Sequence, residues 1–263
     1  MKLVISASPH IDSGATTRKI MGDVLIALCP ALIAAIVICA LVGVLVELVA
    51  YRPVRRKGTS MSALITAIAM SLLLENLAQA IPAMGPNPRV ISDEIFSTAP
   101  MSLGGVSVNM AAVITIVIAA IVMAALQLFV QKTKLGRAMR AVSENKEAST
   151  LVGINVNRTI VTTFAIGSGL AAVAALMYCA QYHTVTTTMG SMLGLKAFVA
   201  AVMGGIGLIP GAMLGGIVVG IIEALVTAYI SSSLANAVVF LILIVMLLVK
   251  PAGILGKNVG EKV

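Results

Sequence analysis

The sequence has 263 residues, of which 59% are hydrophobic and only 11% are charged. Soluble domains carry roughly 25% charged residues, so a water-soluble globular enzyme is excluded. Disorder is excluded as well, because disordered chains are poor in hydrophobic residues. The composition is typical of a polytopic membrane protein. In that class, the net charge of +8 indicates basic cytoplasmic loops rather than binding to nucleic acid.

Seven apolar runs are candidates for membrane helices, since crossing a bilayer takes about 20 apolar residues. They are Val24–Ala50, Met61–Ala83, Met110–Val130, Ile160–Ala180, Phe198–Ile209, Gly211–Ile230 and Leu234–Val249. The fifth run is short and leads into the glycine cluster Gly204–Gly211, which predicts a broken or tightly packed helix end. No run alternates as a barrel strand does. The sequence therefore predicts an all-α bundle of six or seven transmembrane helices, with no strands.

Basic residues assign the connecting segments to the two sides of the membrane, because cytoplasmic loops are enriched in Lys and Arg. Three segments are basic and are predicted to be cytoplasmic. They are Tyr51–Lys57, Lys132–Arg158 and the tail from Lys250. Two segments, Met84–Asn109 and Gln181–Leu195, have few or no basic residues. These two are predicted to be external.

The N-terminus departs from this pattern. Lys2, Arg18 and Lys19 make it basic, which predicts a cytoplasmic location. The run Val24–Ala50 is long enough for one tilted helix and too short for two, and its far end at Tyr51 is also predicted to be cytoplasmic. Because one membrane helix cannot have both ends on the same side, we expect a junction between two unrelated segments.

Several motifs follow in order after about residue 41, namely Glu47–Arg55 (ELVAYRPVR), Thr133–Asn145 (TKLGRAMRAVSEN), Gly204–Ala212 and Lys250–Gly256 (KPAGILG). With these motifs the chain resembles permease subunits of the high-affinity ABC importers for branched-chain amino acids. The resemblance implies a multi-pass subunit of the plasma (inner) membrane that imports branched-chain or other hydrophobic amino acids by alternating access. Such a subunit is not an enzyme. Its implied partners are a second permease subunit, two ATPase subunits, an external solute-binding protein and membrane lipid.

Residues 1 to about 35 carry other motifs, namely Ser8–Ile11 (SPHI), Thr17–Met21 (TRKIM) and Asp23–Ala31 (DVLIALCPA). These resemble the N-terminus of the RnfD component of the Rnf electron-transport complex, a segment that begins in the cytoplasm. We therefore expect an Rnf-like segment at 1–35 and an N-terminally truncated permease domain at 36–263. The alternatives are an Rnf-type membrane redox subunit and a non-functional fusion product.

The basic segment before the fourth apolar run contains a candidate coupling helix. An ABC permease receives force from a cytoplasmic ATPase, so it needs a short helix that protrudes from the membrane. Glu147–Gly153 (EASTLVG) fits the E-A-A-x-x-x-G pattern of such helices, and Gly153 allows the turn back to the membrane. The residues expected to contact the ATPase are Arg137, Arg140, Glu144, Glu147, Ala148 and Gly153. The alternative is an ordinary basic cytoplasmic loop.

A second group of residues is a candidate for the substrate pathway. Glu75 and Glu223 lie inside apolar runs, where ionisable groups are costly; the alternative is a protonated or hydrogen-bonded carboxyl between helices. Gly204 and Gly205 form a hinge or simply allow close helix packing. Thr186 lies in a polar external stretch that meets incoming substrate or belongs to a plain loop.

The sequence gives no sign of covalent catalysis or of a bound group. The three cysteines lie in apolar runs without CxxC spacing, and the two histidines are isolated, so neither a disulfide nor a metal site is expected. No GxxxxGK[ST] pattern is present, so the chain has no ATP site of its own. Ser13–Thr16 (SGAT) resembles the flavin-attachment motif of the Rnf-type family, but it is predicted to be cytoplasmic. We therefore expect no cofactor.

Overall fold

The computed structural model describes residues 13–57, 60–81, 85, 87–90, 101–103, 106–108, 110–205, 207–250 and 253–256. Most of these residues are α-helical, which confirms the predicted fold class. Four residues that bear on the predicted topology and on the absence of a metal site lie outside the described part of the chain. They are Lys2, His10, Lys257 and Lys262.

The helices follow one another along the whole described chain. In order they are α1 (Ser13–Val46), a one-turn π-helix (Glu47–Tyr51), α2 (Arg52–Lys57), α3 (Ser60–Ala80), α4 (Met110–Lys132), α5 (Lys134–Glu144), α6 (Lys146–Leu151), α7 (Val156–Tyr182), α8 (Met189–Gly204), α9 (Ile209–Tyr229) and α10 (Ser232–Val249).

Seven apolar segments of these helices correspond in order to the seven predicted runs. Five are long enough to cross a membrane, namely Pro30–Arg55, Ala112–Lys132, Val156–Tyr182, Ile209–Tyr229 and Ser232–Val249. Two shorter apolar helical segments are Ile65–Ala80 and Met189–Gly204. Within the described residues the polytopic helical architecture is therefore confirmed, with five helices long enough to cross a membrane; the expected number of six or seven membrane helices stays a prediction.

The first helix is longer than its predicted run. α1 begins at Ser13 and includes Pro30, and the π-helix and α2 then carry the helical path on to Lys57. The part that is apolar enough to span a membrane is Pro30–Arg55. The basic segment Tyr51–Lys57 is thus helical, and it forms the end of the first membrane span rather than a separate loop.

The fifth helix has different boundaries from the prediction. α8 begins at Met189 rather than Phe198 and ends at Gly204 rather than Ile209. The predicted run begins too late because Lys196 interrupts the apolar sequence, and it ends too late because it continues past Gly204. The helix ends where Gly205 adopts a φ of 110°, a conformation that residues with a side chain rarely adopt.

Four short strands correct the expectation that the chain has none. β1 (Arg89–Val90) pairs with β4 (Thr184–Val185), and β2 (Met101–Leu103) pairs with β3 (Val106–Val108), both antiparallel. Strands of two or three residues are too short to show an alternating pattern in the sequence. The β1–β4 pair brings together the two segments that are predicted to be external, so both lie at the same end of the bundle.

α1 packs along α7. Gly43 allows this approach, because a Cβ there would overlap the side chain of Ser168. At the end of α1 the rings of Tyr51 and Phe164 lie 5.0 Å apart with an interplanar angle of 54°. A tilted arrangement of this kind is favourable for two aromatic rings, and it fixes the π-helix against α7.

α8, α9 and α10 form a second packed group. Its buried core contains Val199, Met203, Val219 and Val239. α8 and α9 are antiparallel, and their backbones touch at two places where a Cβ would overlap the facing backbone. These places are Gly204 against Gly211, and Gly215 against Ala200. This contact agrees with the close-packing interpretation of Gly204, Gly211 and Gly215.

The tail returns to the end of α8. The backbone N–H of Ile254 donates to the carbonyl of Met203 (2.8 Å), and that of Leu255 donates to the carbonyl of Gly204 (3.2 Å). Gly253, with a φ of 80°, lies against Gly205, where a Cβ would overlap the facing backbone. Since the tail is predicted to be cytoplasmic, α8 runs inward, α9 outward and α10 inward, as the charge pattern requires.

Gly215→Ala is expected to destabilise the protein, because the added Cβ would force α8 and α9 apart. Gly220→Ala on the same helix is the matched control, since a Cβ there meets nothing within 4 Å. Overpacking costs about 1–3 kcal/mol of unfolding free energy, whereas Gly to Ala in an unobstructed helix gains up to about 1 kcal/mol. Thermal unfolding in detergent should shift in opposite directions for the two variants. A Gly215→Ala variant as stable as the wild type would contradict the close approach.

Candidate functional site

Two short helices occupy the segment between α4 and α7, which is predicted to be cytoplasmic. The first, α5, folds back on the end of α4. The hydroxyl oxygen of Thr133 accepts a hydrogen bond from the Gly136 N–H (3.0 Å) and so caps α5. A Cβ on Gly136 would overlap the backbone of Val130. Glycine at this position therefore permits the tight turn that fixes α5 to α4.

The second, α6, is bounded by asparagine caps. The side-chain oxygen of Asn145 accepts from the Ala148 N–H (3.0 Å), and that of Asn155 accepts from the Arg158 N–H at the start of α7 (3.1 Å). Such caps satisfy backbone donors that a helix start leaves unpaired. Between α6 and α7, Gly153 has a φ of 86°. The segment is thus a defined helical turn between two sharp changes of direction.

The structure places all six predicted coupling residues on the exposed surface of this segment. Arg137, Arg140 and Glu144 lie on α5, Glu147 and Ala148 on α6, and Gly153 just after it.

Two further exposed residues are not among the coupling residues predicted from the sequence. Leu151 has 89% of its surface exposed, and Val152 has 80%. They follow one another at the end of α6, at a point predicted to lie outside the membrane. Their hydrophobicity looked unremarkable in so apolar a sequence. Only the local fold, which ends the helix at Leu151 and turns at Gly153, shows that nothing in the described chain covers them.

A buried ion pair lies beside this segment, at the end of α1. Glu47 in the π-helix is fully buried, and its Oε1 lies 2.9 Å from Nη2 of Arg55. The same Nη2 donates a hydrogen bond to Oδ1 of Asn157 (3.1 Å), in the first turn of α7. The Glu47 carboxylate accepts no aligned hydrogen bond within the described residues, so the charge of Arg55 is what compensates its burial. Arg55 thus joins the first membrane span to the start of α7.

A second ion pair lies between α8 and α9. Nζ of Lys196 is 2.6 Å from Oε1 of Glu223, and the two side chains are 23% and 34% exposed. Glu223 was a predicted pathway residue, whereas Lys196 was not. The glycine contacts contain part of the missing signal. If Gly204 faces Gly211 and Gly215 faces Ala200, the antiparallel arrangement puts Lys196 opposite residue 219, one helical turn from Glu223 and within reach of a lysine side chain.

The other predicted pathway residues are not gathered into one site. Thr186 precedes α8 at the end predicted to be external, the Lys196–Glu223 pair lies along the hairpin, and Gly204 and Gly205 lie at its opposite end. Glu75 is half-buried on α3, whose principal contacts are with α2 and the π-helix. These positions mark successive levels of the bundle rather than a single pocket.

An apolar cleft of about 680 Å³ lies between α4, α7 and the start of α9. Its few polar lining residues are Thr115, Tyr178, Gln181 and Tyr182, and none of its lining residues is charged. Ile209 and Met213 provide the side formed by α9. The cleft suits an apolar group and offers no counter-charge to an ionic one.

Comparison with known proteins agrees with this architecture. The family described as "Branched-chain amino acid transport system / permease component" matches residues 4–249. The high-affinity branched-chain amino acid transport system permease protein BraD of Pseudomonas aeruginosa is 39% identical over 238 residues, covering 88% of this chain and 75% of BraD. The permease protein LivH of Escherichia coli K12 is 41% identical over 239 residues, with the same two coverages. No solved structure gives a significant match.

A shorter similarity extends to a sugar transporter. The xylose transport system permease protein XylH of Escherichia coli K12 is 34% identical over 90 residues, which is 32% of this chain. The similarity to BraD and LivH is far more extensive.

The chain belongs to the branched-chain amino acid transport system permease family. It is a multi-pass transport permease of the inner membrane, in agreement with its apolar helices. The family match begins at residue 4 and so includes most of the segment that resembles RnfD, and nothing in the comparisons favours an Rnf-type redox protein. The division of the chain at residue 35 stays a prediction.

Arg55→Met is expected to lower the unfolding free energy by about 3–5 kcal/mol, because it leaves the buried Glu47 carboxylate without a counter-charge. The double variant Glu47→Leu/Arg55→Met removes both charges and should be as stable as the wild type or more so. Unfolding of the purified proteins in detergent measures both. A double variant as unstable as the single variant would show that the pair itself contributes net stability, contrary to this expectation.

Proposed function

We propose that the chain imports branched-chain amino acids as one permease of an ATP-driven complex. The complex would contain a second permease, two ATPase subunits on the cytoplasmic side and an external solute-binding protein. BraD and LivH, which support the substrate class, are permeases of high-affinity branched-chain amino acid transport systems. The observation that carries the coupling to an ATPase is the exposed helix α6 with its apolar tip.

The tip of α6 has the properties of a docking element. Leu151 and Val152 are almost fully exposed and lie outside the candidate membrane span of α7. Exposed large apolar residues in such a position are typical of protein contacts. The neighbouring charges of Arg137, Arg140 and Glu147 provide a polar rim. An ATPase groove that receives the apolar tip would bury it and pair with the rim.

The connections of α6 explain how a push on this tip would reach the membrane. α6 contacts α5 and α7, and α5 contacts both α4 and α7. Arg55 then links the start of α7 to the first membrane span through Asn157 and Glu47. A movement of α6 would therefore act on three membrane helices at once, which is what switching a pathway between the two sides requires.

Uptake into vesicles tests the whole proposal. The permease is reconstituted with its second permease, ATPase subunits and solute-binding protein, and radiolabelled leucine, isoleucine and valine are offered with ATP inside. We expect uptake that depends on ATP and on the binding protein. Accumulation of xylose, but of none of the three amino acids, would contradict the proposed substrate class.

Gly153→Val is expected to abolish coupling while leaving membrane insertion intact. A Cβ at Gly153 meets nothing within 4 Å, so the effect comes from the backbone, because a β-branched residue at a φ of 86° is strongly disfavoured. Gly153→Asn is the control at the same position, since Asn tolerates this conformation better. Leucine uptake should fall to background for Val and stay near the wild-type rate for Asn. Normal uptake by the Val variant would remove Gly153 from the coupling element.

Leu151→Ser is expected to weaken ATPase association without affecting the fold, since the side chain makes almost no contact within the chain. Burying a leucine side chain contributes about 1.5–3 kcal/mol, which corresponds to roughly a 10- to 150-fold weaker affinity. Thr150→Ser, an exposed neighbour on α6, is the control. Co-purification of the ATPase over a concentration series measures the change. Equal retention by both variants would show that the tip of α6 does not dock.

A further inference from the structure

The Lys196–Glu223 pair lies well inside the membrane-spanning part of the protein. At a rise of about 1.5 Å per residue, Lys196 is about 10–12 Å from either end of α8, and Glu223 is about 9 Å from the end of α9 at Tyr229. Among the residues whose side chains are described, Lys196 is the one basic residue in the middle of an apolar helix. An ammonium group at this depth is costly, and such groups are usually functional.

The pair is also incompletely satisfied. Lys196 Nζ bonds to Oε1 of Glu223, and within the described residues no other protein group bonds to either side chain. Two N–H donors of the ammonium group and one carboxylate oxygen therefore remain available. Structural ion pairs in low dielectric are favourable only when their remaining donors and acceptors are satisfied as well.

The partial exposure of the pair also argues against a purely structural role. The two side chains are 23% and 34% exposed, whereas the carboxylate of the other buried pair, Glu47, is fully enclosed. Charged groups that face lipid are disfavoured by several kcal/mol, so the open edge of this pair must face water, substrate or another protein.

We propose that the open edge of the Lys196–Glu223 pair faces the translocation path and binds the charged head of the amino acid. The substrate carboxylate would accept from the free N–H groups of Lys196, and the substrate ammonium would donate to the free oxygen of Glu223. A zwitterion that leaves water needs counter-charges of both signs, and this pair supplies one of each side by side. The inference rests on the proposed function and names the site that recognises the substrate.

The position of Glu223 around α9 supports this assignment. With about 100° per residue, Glu223 lies only about 40° around the helix axis from Ile209, which lines the apolar cleft. The cleft and the pair thus lie on neighbouring sides of the same helix at different heights. An amino acid moving along this side would meet an apolar surface for its side chain and an ion pair for its head.

The first experiment asks whether the pair is in contact with water. Lys196→Cys/Glu223→Gln is made in a chain in which Cys29, Cys39 and Cys179 are alanine, and membranes are treated with a charged, water-soluble methanethiosulfonate. Phe198→Cys in the same cysteine-free chain is the control. Phe198 is also exposed on α8, at 57%, but it is apolar, so its exposed surface can face lipid, where the charged reagent does not react. We expect labelling at position 196 and much slower labelling at 198. An unreactive cysteine at 196 would overturn the proposal.

The second experiment separates recognition from a purely structural ion pair. Lys196→Met/Glu223→Gln removes both charges and keeps the side-chain volumes similar, a change that structural pairs tolerate. We expect the complex to assemble in the membrane but to lose leucine uptake by about tenfold or more, as for the loss of hydrogen bonds to charged groups. Uptake at the wild-type rate would show that the pair is structural. If the double variant does not assemble, the labelling experiment, which needs membrane insertion but neither assembly nor transport, decides the question alone.

Failure of the proposed function gives a different result. If the wild-type complex imports no branched-chain amino acid, the substrate class is wrong whatever the variants do. The labelling experiment does not depend on the substrate, so it still shows whether the pair lines an aqueous path.

Discussion

The fold depends on the rule that a charge inside a membrane protein must have a partner. The described chain contains two ion pairs, Glu47–Arg55 and Lys196–Glu223. The second joins α8 to α9, and the first compensates the buried Glu47 while Arg55 bonds to Asn157 on α7. The hydrophobic effect gives little orientation between helices in lipid, because lipid tails are as apolar as leucine. The position of one helix along its neighbour is then set by ion pairs and by glycines that allow the two backbones to touch. In this protein α8 and α9 use both devices, whereas the first membrane span meets α7 through a glycine contact at Gly43 and the hydrogen bond from Arg55 to Asn157.

The two pairs differ in burial, and the difference separates their roles. Glu47 is enclosed completely, and Arg55 shares its guanidinium with Asn157 at the start of α7. That arrangement suits a fixed joint beside the segment predicted to meet an ATPase. Lys196 and Glu223 are partly open, with donors and an acceptor to spare. A purely structural contact needs no unpaired donors or acceptors. A site that binds and releases substrate needs groups that are free to pair with it.

The sequence predicts most of this fold, because long apolar runs and basic segments are strong signals. It also predicts the turn at Gly153 and the glycine contact at Gly204. It fails where a local feature depends on a distant partner. Lys196 interrupts the apolar run, so the sequence predicts that the fifth helix begins after it. The helix includes Lys196 because its counter-charge, Glu223, lies 27 residues away on α9. The strand pair β1–β4 joins segments nearly a hundred residues apart, and no local sequence pattern predicts this pairing. Leu151 and Val152 are ordinary apolar residues until the fold shows that they are uncovered.

The contacts between helices provide a route from α6, the proposed coupling helix, to the Lys196–Glu223 pair. The helices that carry the Lys196–Glu223 pair are bound to each other and to the tail at Gly204, while α1 and α7 form a separate packed pair with the ion pair of Glu47. α4 connects the two groups, since it contacts α5 and α7 as well as α9. In the proposed mechanism a displacement of α6 would reach the pair on α8 and α9 through α5 and α4. The apolar cleft lies between α4, α7 and α9, where a shift of α4 relative to α9 would widen or close it. Closely packed helices transmit such shifts because their interiors resist compression. The segment proposed to receive force from an ATPase and the pair proposed to bind the substrate therefore need no direct contact.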